Sequence, residues 1–170
     1  MKKILSYICL STVILAGCAS NKSNSSDAIS ASNDGLQKQV QAVQQKMSAC
    51  IADVNKTEDA KYVDSYVIAI TPNNPNAKKL FNSADFITDE QATILKRFKD
   101  STLQCRGITK ELPKPEMVAV YEYYYSKVDD VYADLISKRI TIGVANQERS
   151  MRIQYTREKW AAVMKAQKAS

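Results

Sequence analysis

The sequence predicts an all-α fold: an antiparallel bundle of about four helices behind a signal peptide and a flexible tether. Three observations carry that expectation. The 170 residues include only four Gly and four Pro, too few for the turns of a β-rich domain. Apolar residues recur at alternating steps of four and three over several long stretches, the spacing of one helix face. A capping box at Thr88 to Gln91 and a first-turn proline at Pro115 mark helix starts. Aliphatic content is ordinary, so residues 35–170 can bury one modest core.

The first segment, residues 1–17, has a positive start in Lys2 and Lys3, an apolar run from Ile4 to Leu15, and a small-residue exit at Ala16 and Gly17. That is the layout of a secretory signal, too short to span a bilayer as a permanent helix. Leu15-Ala16-Gly17-Cys18 resembles the lipobox of bacterial lipoproteins. The resemblance implies cleavage between Gly17 and Cys18, a thioether-linked diacylglycerol on Cys18, and acylation (palmitate, for example) of the new amine. Two or three acyl chains on one residue would hold the protein on a membrane, since each buried methylene contributes about 0.8 kcal/mol. Ala19 stands where, in enterobacterial sorting, an aspartate would signal inner-membrane retention, so the expected location is the cell envelope at the outer membrane. Residues 18–34, the lipidated cysteine and a Ser/Asn-rich stretch with Ile29 as its one large apolar residue, read as a flexible tether.

Within the body, Leu36, Val40, Val43, Met47, Cys50 and Val54 make the apolar seam of a first helix, with glutamines between them facing water. Residues 55–87 read as irregular. Tyr62 to Ile70 is β-rich and partly alternating, which favours an extended segment over a short helix. Thr71 to Asn76 is a turn cluster, and Ala77 to Phe81 has room for one helical turn. A second helix follows Thr88, with Leu95, Phe98, Thr102 and Cys105 on one face, and ends near Gly107. The third starts at Pro115 and repeats Met117, Tyr121, Tyr124, Val128, Val131 and Leu135. The fourth runs from Thr141 towards Ala166 with Ile142, Ala145, Ile153, Trp160 and Val163 inward; the short join at Ser137 to Ile140 makes it the antiparallel neighbour of the third.

Four cysteines divide by place. Cys9 leaves with the signal and Cys18 takes the lipid. Cys50 and Cys105 lie on the inner seams of their helices in a chain bound for an oxidising compartment, so a Cys50–Cys105 disulfide is expected.

Several functions are disfavoured at this stage. With no histidine, the commonest general base, nucleophile partner and metal ligand is missing. No phosphate loop, calcium loop or metal-ligand spacing occurs, so neither a cofactor nor a metal is expected. The formal charge of +6 loses two with Lys2 and Lys3, and no basic stripe is interleaved with stacking aromatics, which argues against nucleic acid.

The richest cluster is on helices three and four. Tyr121, Tyr124, Asp129, Asp130 and Tyr132, with Arg149 and Arg152, make a candidate groove for a cation, sugar or basic peptide. The plainer expectation is tyrosines buried by their rings and acids paired with Arg149, Arg152 or Arg157. Tyr132 to Gly143, a tyrosine-bearing helix turning through a glycine into an Arg-rich helix, resembles small helical lipoproteins of Gram-negative proteobacteria and brings no catalytic residues with it. The expected function is non-enzymatic: a lipid-anchored binding or structural module for an envelope protein or cell-wall component. The alternatives are a pilotin-like chaperone for an outer-membrane secretion component and a carboxylate-based wall-glycan enzyme, which needs two acids facing one cleft.

Overall fold

A computed structural model describes residues 24–169, with side chains from 35 to 167. The signal peptide, Cys18 and the start of the tether lie outside the described residues. The described chain is all-helical: α1 (Asn24–Val54), α2 (Glu58–Tyr66), α3 (Ala77–Phe81), α4 (Asp89–Ser101), α5 (Leu103–Gly107), a 3₁₀ turn (Ile108–Glu111), α6 (Pro115–Ile136) and α7 (Ile142–Ala169). The four long helices are those expected from periodicity, except that the second, expected to run on to near Gly107, breaks at Thr102 into α4 and the short α5; α6 and α7 form the largest helix–helix interface.

Two expectations are corrected. Residues 24–34, expected to be flexible, are helical, the first three turns of α1. Extending an existing helix fixes one residue per new hydrogen bond, so Ser and Asn residues that would not nucleate a helix can still continue one from the packed segment beyond Gly35. The eleven residues rise about 16 Å as helix. Tyr62 to Tyr66 is helical rather than extended. The cap decides against the β-branched composition: the Thr57 hydroxyl accepts from the Ala60 amide at 3.3 Å, and Glu58 and Asp59 occupy the positive end of the dipole. Ala60, Val63 and Val67, spaced three and four apart, are then fully buried. Helix geometry ends at Tyr66, and residues 68–70 are irregular.

Other boundaries follow local chemistry. The Thr88 hydroxyl accepts from the Gln91 amide at 3.1 Å, and the Gln91 side chain accepts from the Thr88 amide at 3.0 Å, completing the capping box. Pro115 sits in the first turn of α6. Between α6 and α7 the chain reverses through Lys138, whose φ of 57° lets the amides of Ser137, Lys138 and Arg139 bond back to the last carbonyls of α6.

Two apolar clusters hold the bundle. The larger gathers Val63, Val67, Ile68, Ile87, Leu95, Phe98, Cys105, Val131, Leu135 and Ala145; the smaller joins Val40, Val43, Leu112 and Met117, with Met47, Tyr121, Trp160 and Val163 packed against them. Cys50 and Cys105 form a disulfide, their Cα atoms 5.6 Å apart, which ties α1 to α5.

Polar clamps hold the non-helical segments. The Asp64 carboxylate accepts from the amides of Ile70 and Thr71, from the Thr71 hydroxyl and from the Asn74 amide group. Burial opposes its charge, yet the bonds from Thr71, Asn74 and Ile70 outweigh that and hold its pKa below the usual value. Buried Asn146 accepts from the Ala69 amide at 2.8 Å and donates to the carbonyls of Val67 and Ile142, both at 2.8 Å. Asn146→Ala strands the Ala69 amide and Val67 carbonyl, and is expected to cost about 2–3 kcal/mol, read from the urea unfolding midpoint. A loss under 0.5 kcal/mol would show that water replaces the clamp.

Gly143 is required by contact. A Cβ there would collide with the Ser83 carbonyl oxygen and press on the Phe81 carbonyl oxygen at 3.1 Å. These are backbone atoms, and the Gly143 amide also donates to Ser83 at 3.0 Å. Gly143→Ala is expected to destabilise by about 1–3 kcal/mol, the usual cost of overpacking, and to lower the thermal midpoint. An unchanged midpoint would mean that the segment after α3 moves aside freely.

Candidate functional site

The site is a cleft over α6, walled by α7 on one side and by α1, α4 and α5 on the other. α6 presents Tyr121, Tyr124, Tyr125 and Tyr132, which fall three, one and seven residues apart and so line most of one face. α7 contributes Arg149, Ile153, Arg157 and Trp160, at steps of four, four and three. α1 adds Met47 and Ile51, and α5 adds Arg106.

Three cavities meet in this cleft. One of 250 Å³ lies between Met47, Ile51, Phe98, Arg106 and the α6 tyrosines and reaches Arg149. A second, of 370 Å³, is apolar and lined by Tyr121, Tyr124, Ile153, Thr156, Arg157 and Trp160. The third, of 450 Å³, runs between the 69–72 segment, α3 and α7 and is lined by Thr71, Asn146, Arg149, Ser150, Gln154 and Arg157 among others. Volumes of 300–1,000 Å³ are typical of small-molecule sites, and the two larger cavities fall in that range.

The aromatic wall is a packed unit. Tyr121 meets Trp160 edge to face at 5.4 Å, and Tyr125 lies 5.4 Å from Tyr124 and 6.3 Å from Tyr121. The Arg106 guanidinium sits 4.9 Å above the Tyr125 ring and holds the Asp129 carboxylate by two bonds, at 2.8 and 2.9 Å. Burial first, then the adjacent Tyr121 and Tyr124, push the Tyr125 hydroxyl up to about 12. Burial likewise raises the fully enclosed Tyr132. Burial works against the Arg106 and Arg149 charges, but Asp129 outweighs it for Arg106, and Tyr132 and Tyr124 for Arg149; both pKa values lie above the ordinary one. These four groups therefore keep one protonation state through the physiological range. They bind and orient rather than exchange protons.

The seven residues expected to form a groove are divided by the structure. Tyr121, Tyr124, Tyr132 and Arg149 line the cleft, and Asp129 reaches it through Arg106. Asp130 and Arg152 lie on another face of the α6–α7 pair, in a 270 Å³ groove with Lys127, Asp134 and Glu148. The expected pairing of the α6 acids with α7 arginines is corrected. Asp130 pairs with Lys127 at 2.8 Å, Asp134 with Arg139, and Arg152 with Glu148 on its own helix at 2.8 Å. Short links within one helix or across its end cost less side-chain ordering than links across the bundle, so near partners are taken first. The three acids of this groove are thus each in an ion pair.

Arg106 is not part of the expected groove; it is found only by knowing that α5 folds against α6. Among the described residues, no group of three acids or cysteines is placed to hold a metal ion, and no helix is long and apolar enough to cross a membrane. Compared with known proteins, the chain matches no family model, no curated sequence and no solved structure.

Proposed function

We propose that this protein is a lipid-anchored component of a bacterial envelope, held at the outer membrane through Cys18, whose helical domain captures an envelope partner in the α6–α7 cleft without catalysing a reaction. The address rests on the lipobox Leu15-Ala16-Gly17-Cys18. The binding role rests on one observation: a cleft lined by fixed tyrosines, a tryptophan and guanidinium groups, whose opposite wall, α1 against α5, is cross-tied by a disulfide. Such a surface arrives pre-organised, so little conformational freedom is lost on capture.

A second reading, the pilotin-like chaperone, is favoured by the apolar wall of Tyr121, Tyr124, Ile153 and Trp160, which could seat an amphipathic segment of a secretion component. A photo-activated amino acid at Tyr124, in the lipidated chain in intact envelopes, tests both. The expected result is one adduct that the same group at exposed Tyr66, which lines none of the three cavities, does not give. Identical adducts from the two positions would overturn the binding role. A single secretion protein in the Tyr124 adduct would favour the chaperone.

A further inference from the structure

The arginines divide into two kinds. Arg97 holds Asp59 at 2.6 Å, Arg106 holds Asp129, Arg139 holds Asp134 and Arg152 holds Glu148. Arg149 and Arg157 hold no carboxylate among the described residues, and both line the same 450 Å³ cavity. Arg149 is the more demanding of the two. It is largely enclosed: its guanidinium donates to the Ala69 carbonyl at 3.2 Å and lies against the Tyr132 hydroxyl, while its buried Nε has no partner. The nearby Asp64 carboxylate favours the Arg149 charge without bonding to it, its oxygens being engaged by Thr71, Asn74 and the loop amides. Arg149 has no ion-pair partner in direct contact, and an unsatisfied buried donor points to a missing ion or water.

Arg157 gives the site its direction. It is exposed and borders both the 450 Å³ cavity, whose lining mixes polar side chains with Ile70, Phe81 and Ile153, and the apolar one, which ends at Trp160. From Arg149 to Trp160 the face runs cation, aliphatic Ile153, cation, indole.

We infer that the cleft is a site for a small amphiphilic anion, its carboxylate or phosphate held by Arg149 and Arg157 and its aryl or acyl body laid along Tyr121, Tyr124 and Trp160. This rests on the cleft being a binding site, as proposed above, and adds the chemistry of the ligand. Guanidinium groups suit both carboxylates and phosphates, through paired N–H donors in a planar fork. An anion in the 450 Å³ cavity supplies the direct partner that Arg149 lacks, and the apolar wall takes a body that free phosphate or acetate does not have. Two sources share this chemistry: a free organic acid, and an anionic phospholipid of the membrane to which the protein is tethered.

Trp160 is the only tryptophan in the chain, so its fluorescence reports the apolar end of the site directly. The test uses the lipidated protein in phosphatidylcholine nanodiscs. It compares 3-phenylpropionate with 3-phenylpropanol, which has the same body without the charge. The acid is expected to give a saturable change in Trp160 emission and to bind at least tenfold more tightly than the alcohol. Arg157→Gln, an exposed position that leaves the fold intact, should weaken the acid at least tenfold and the alcohol little. Arg149→Gln should do the same where circular dichroism shows the helices retained, and Arg139→Gln should change nothing. Repeating the titration in nanodiscs containing phosphatidylglycerol separates the sources. Competition with 3-phenylpropionate assigns the site to the lipid head group; unaltered binding assigns it to a free acid. Equal affinity for acid and alcohol would overturn the anion inference while leaving the cleft a binding site. No saturable change with the acid or with phosphatidylglycerol would likewise overturn the anion inference, while the Tyr124 cross-link decides the binding role separately.

Discussion

Opening the Cys50–Cys105 disulfide is expected to lower the unfolding free energy by about 4 kcal/mol. The bond joins positions 55 residues apart, and closing a loop of that length removes about 14 cal/mol/K of entropy from the unfolded chain. The tie falls where α1 meets the short α5. Apart from it, α1 is held by the smaller apolar cluster, by Val54 in the larger one and by the Lys46–Glu111 pair, which is solvent-exposed and worth little. Urea unfolding of oxidised protein, of reduced protein and of a Cys50→Ala, Cys105→Ala double variant would measure the effect. Reduction keeps the buried sulfur of Cys105 while the double variant leaves a small cavity, so the variant should lose somewhat more than the reduced protein. A loss below 1 kcal/mol on reduction would mean that the unfolded chain already holds α1 near α5. Because Met47 and Ile51 flank Cys50 and wall the cleft, reduction should also weaken ligand binding before it unfolds the bundle.

The sequence announces what rests on local rules. Thr88 and Gln91 cap α4, Pro115 opens α6, and the seams from Leu36 to Val54 and from Met117 to Leu135 point inward, because a cap or a 3.6-residue period needs no knowledge of distant chain. The disulfide was legible for a related reason: both cysteines sat on inward seams. Misreadings arose where two local signals conflicted. At Tyr62 to Tyr66 a β-rich composition opposed the Thr57 cap and the Ala60-Val63-Val67 spacing, and burial of that face decided for helix. At residues 24–34 composition suggested coil, but the neighbouring helix supplied the nucleus.

The candidate site was half legible. Tyrosines on the face of one helix can be counted from their spacing, so Tyr121, Tyr124 and Tyr132 were placed together correctly. Ion-pair partners were not legible, since whether Asp129 finds Arg106 or an α7 arginine depends on how α5 lies across α6. The same ignorance hid the two arginines without carboxylates. A sequence can supply arginine and acid in similar numbers, but only the fold shows which cations are left unmatched and whether they share a cavity.

Replacing Cys18 by serine is expected to move the protein almost entirely from the membrane pellet to the soluble fraction. The change removes one sulfur, and with it the thioether that would carry the diacylglycerol and the cue for cleavage after Gly17. One acyl chain gives an association constant of only about 10⁴ M⁻¹, whereas each further methylene adds about 0.8 kcal/mol, so two or three chains make the attachment effectively permanent. No described helix offers a substitute, because none is long and apolar enough to cross a membrane. The fold should be unaffected, since its cores and its disulfide lie between residues 36 and 164. Helical circular dichroism and thermal midpoint should therefore match the native chain, with the leader removed at another bond. Fractionation of envelopes expressing each form reads the result, with mass spectrometry of the amino terminus as the second measure. If the Cys18→Ser protein sediments as the native one does, the apolar run from Ile4 to Leu15 or the basic helical surface holds it instead, and the lipid has no part in its address.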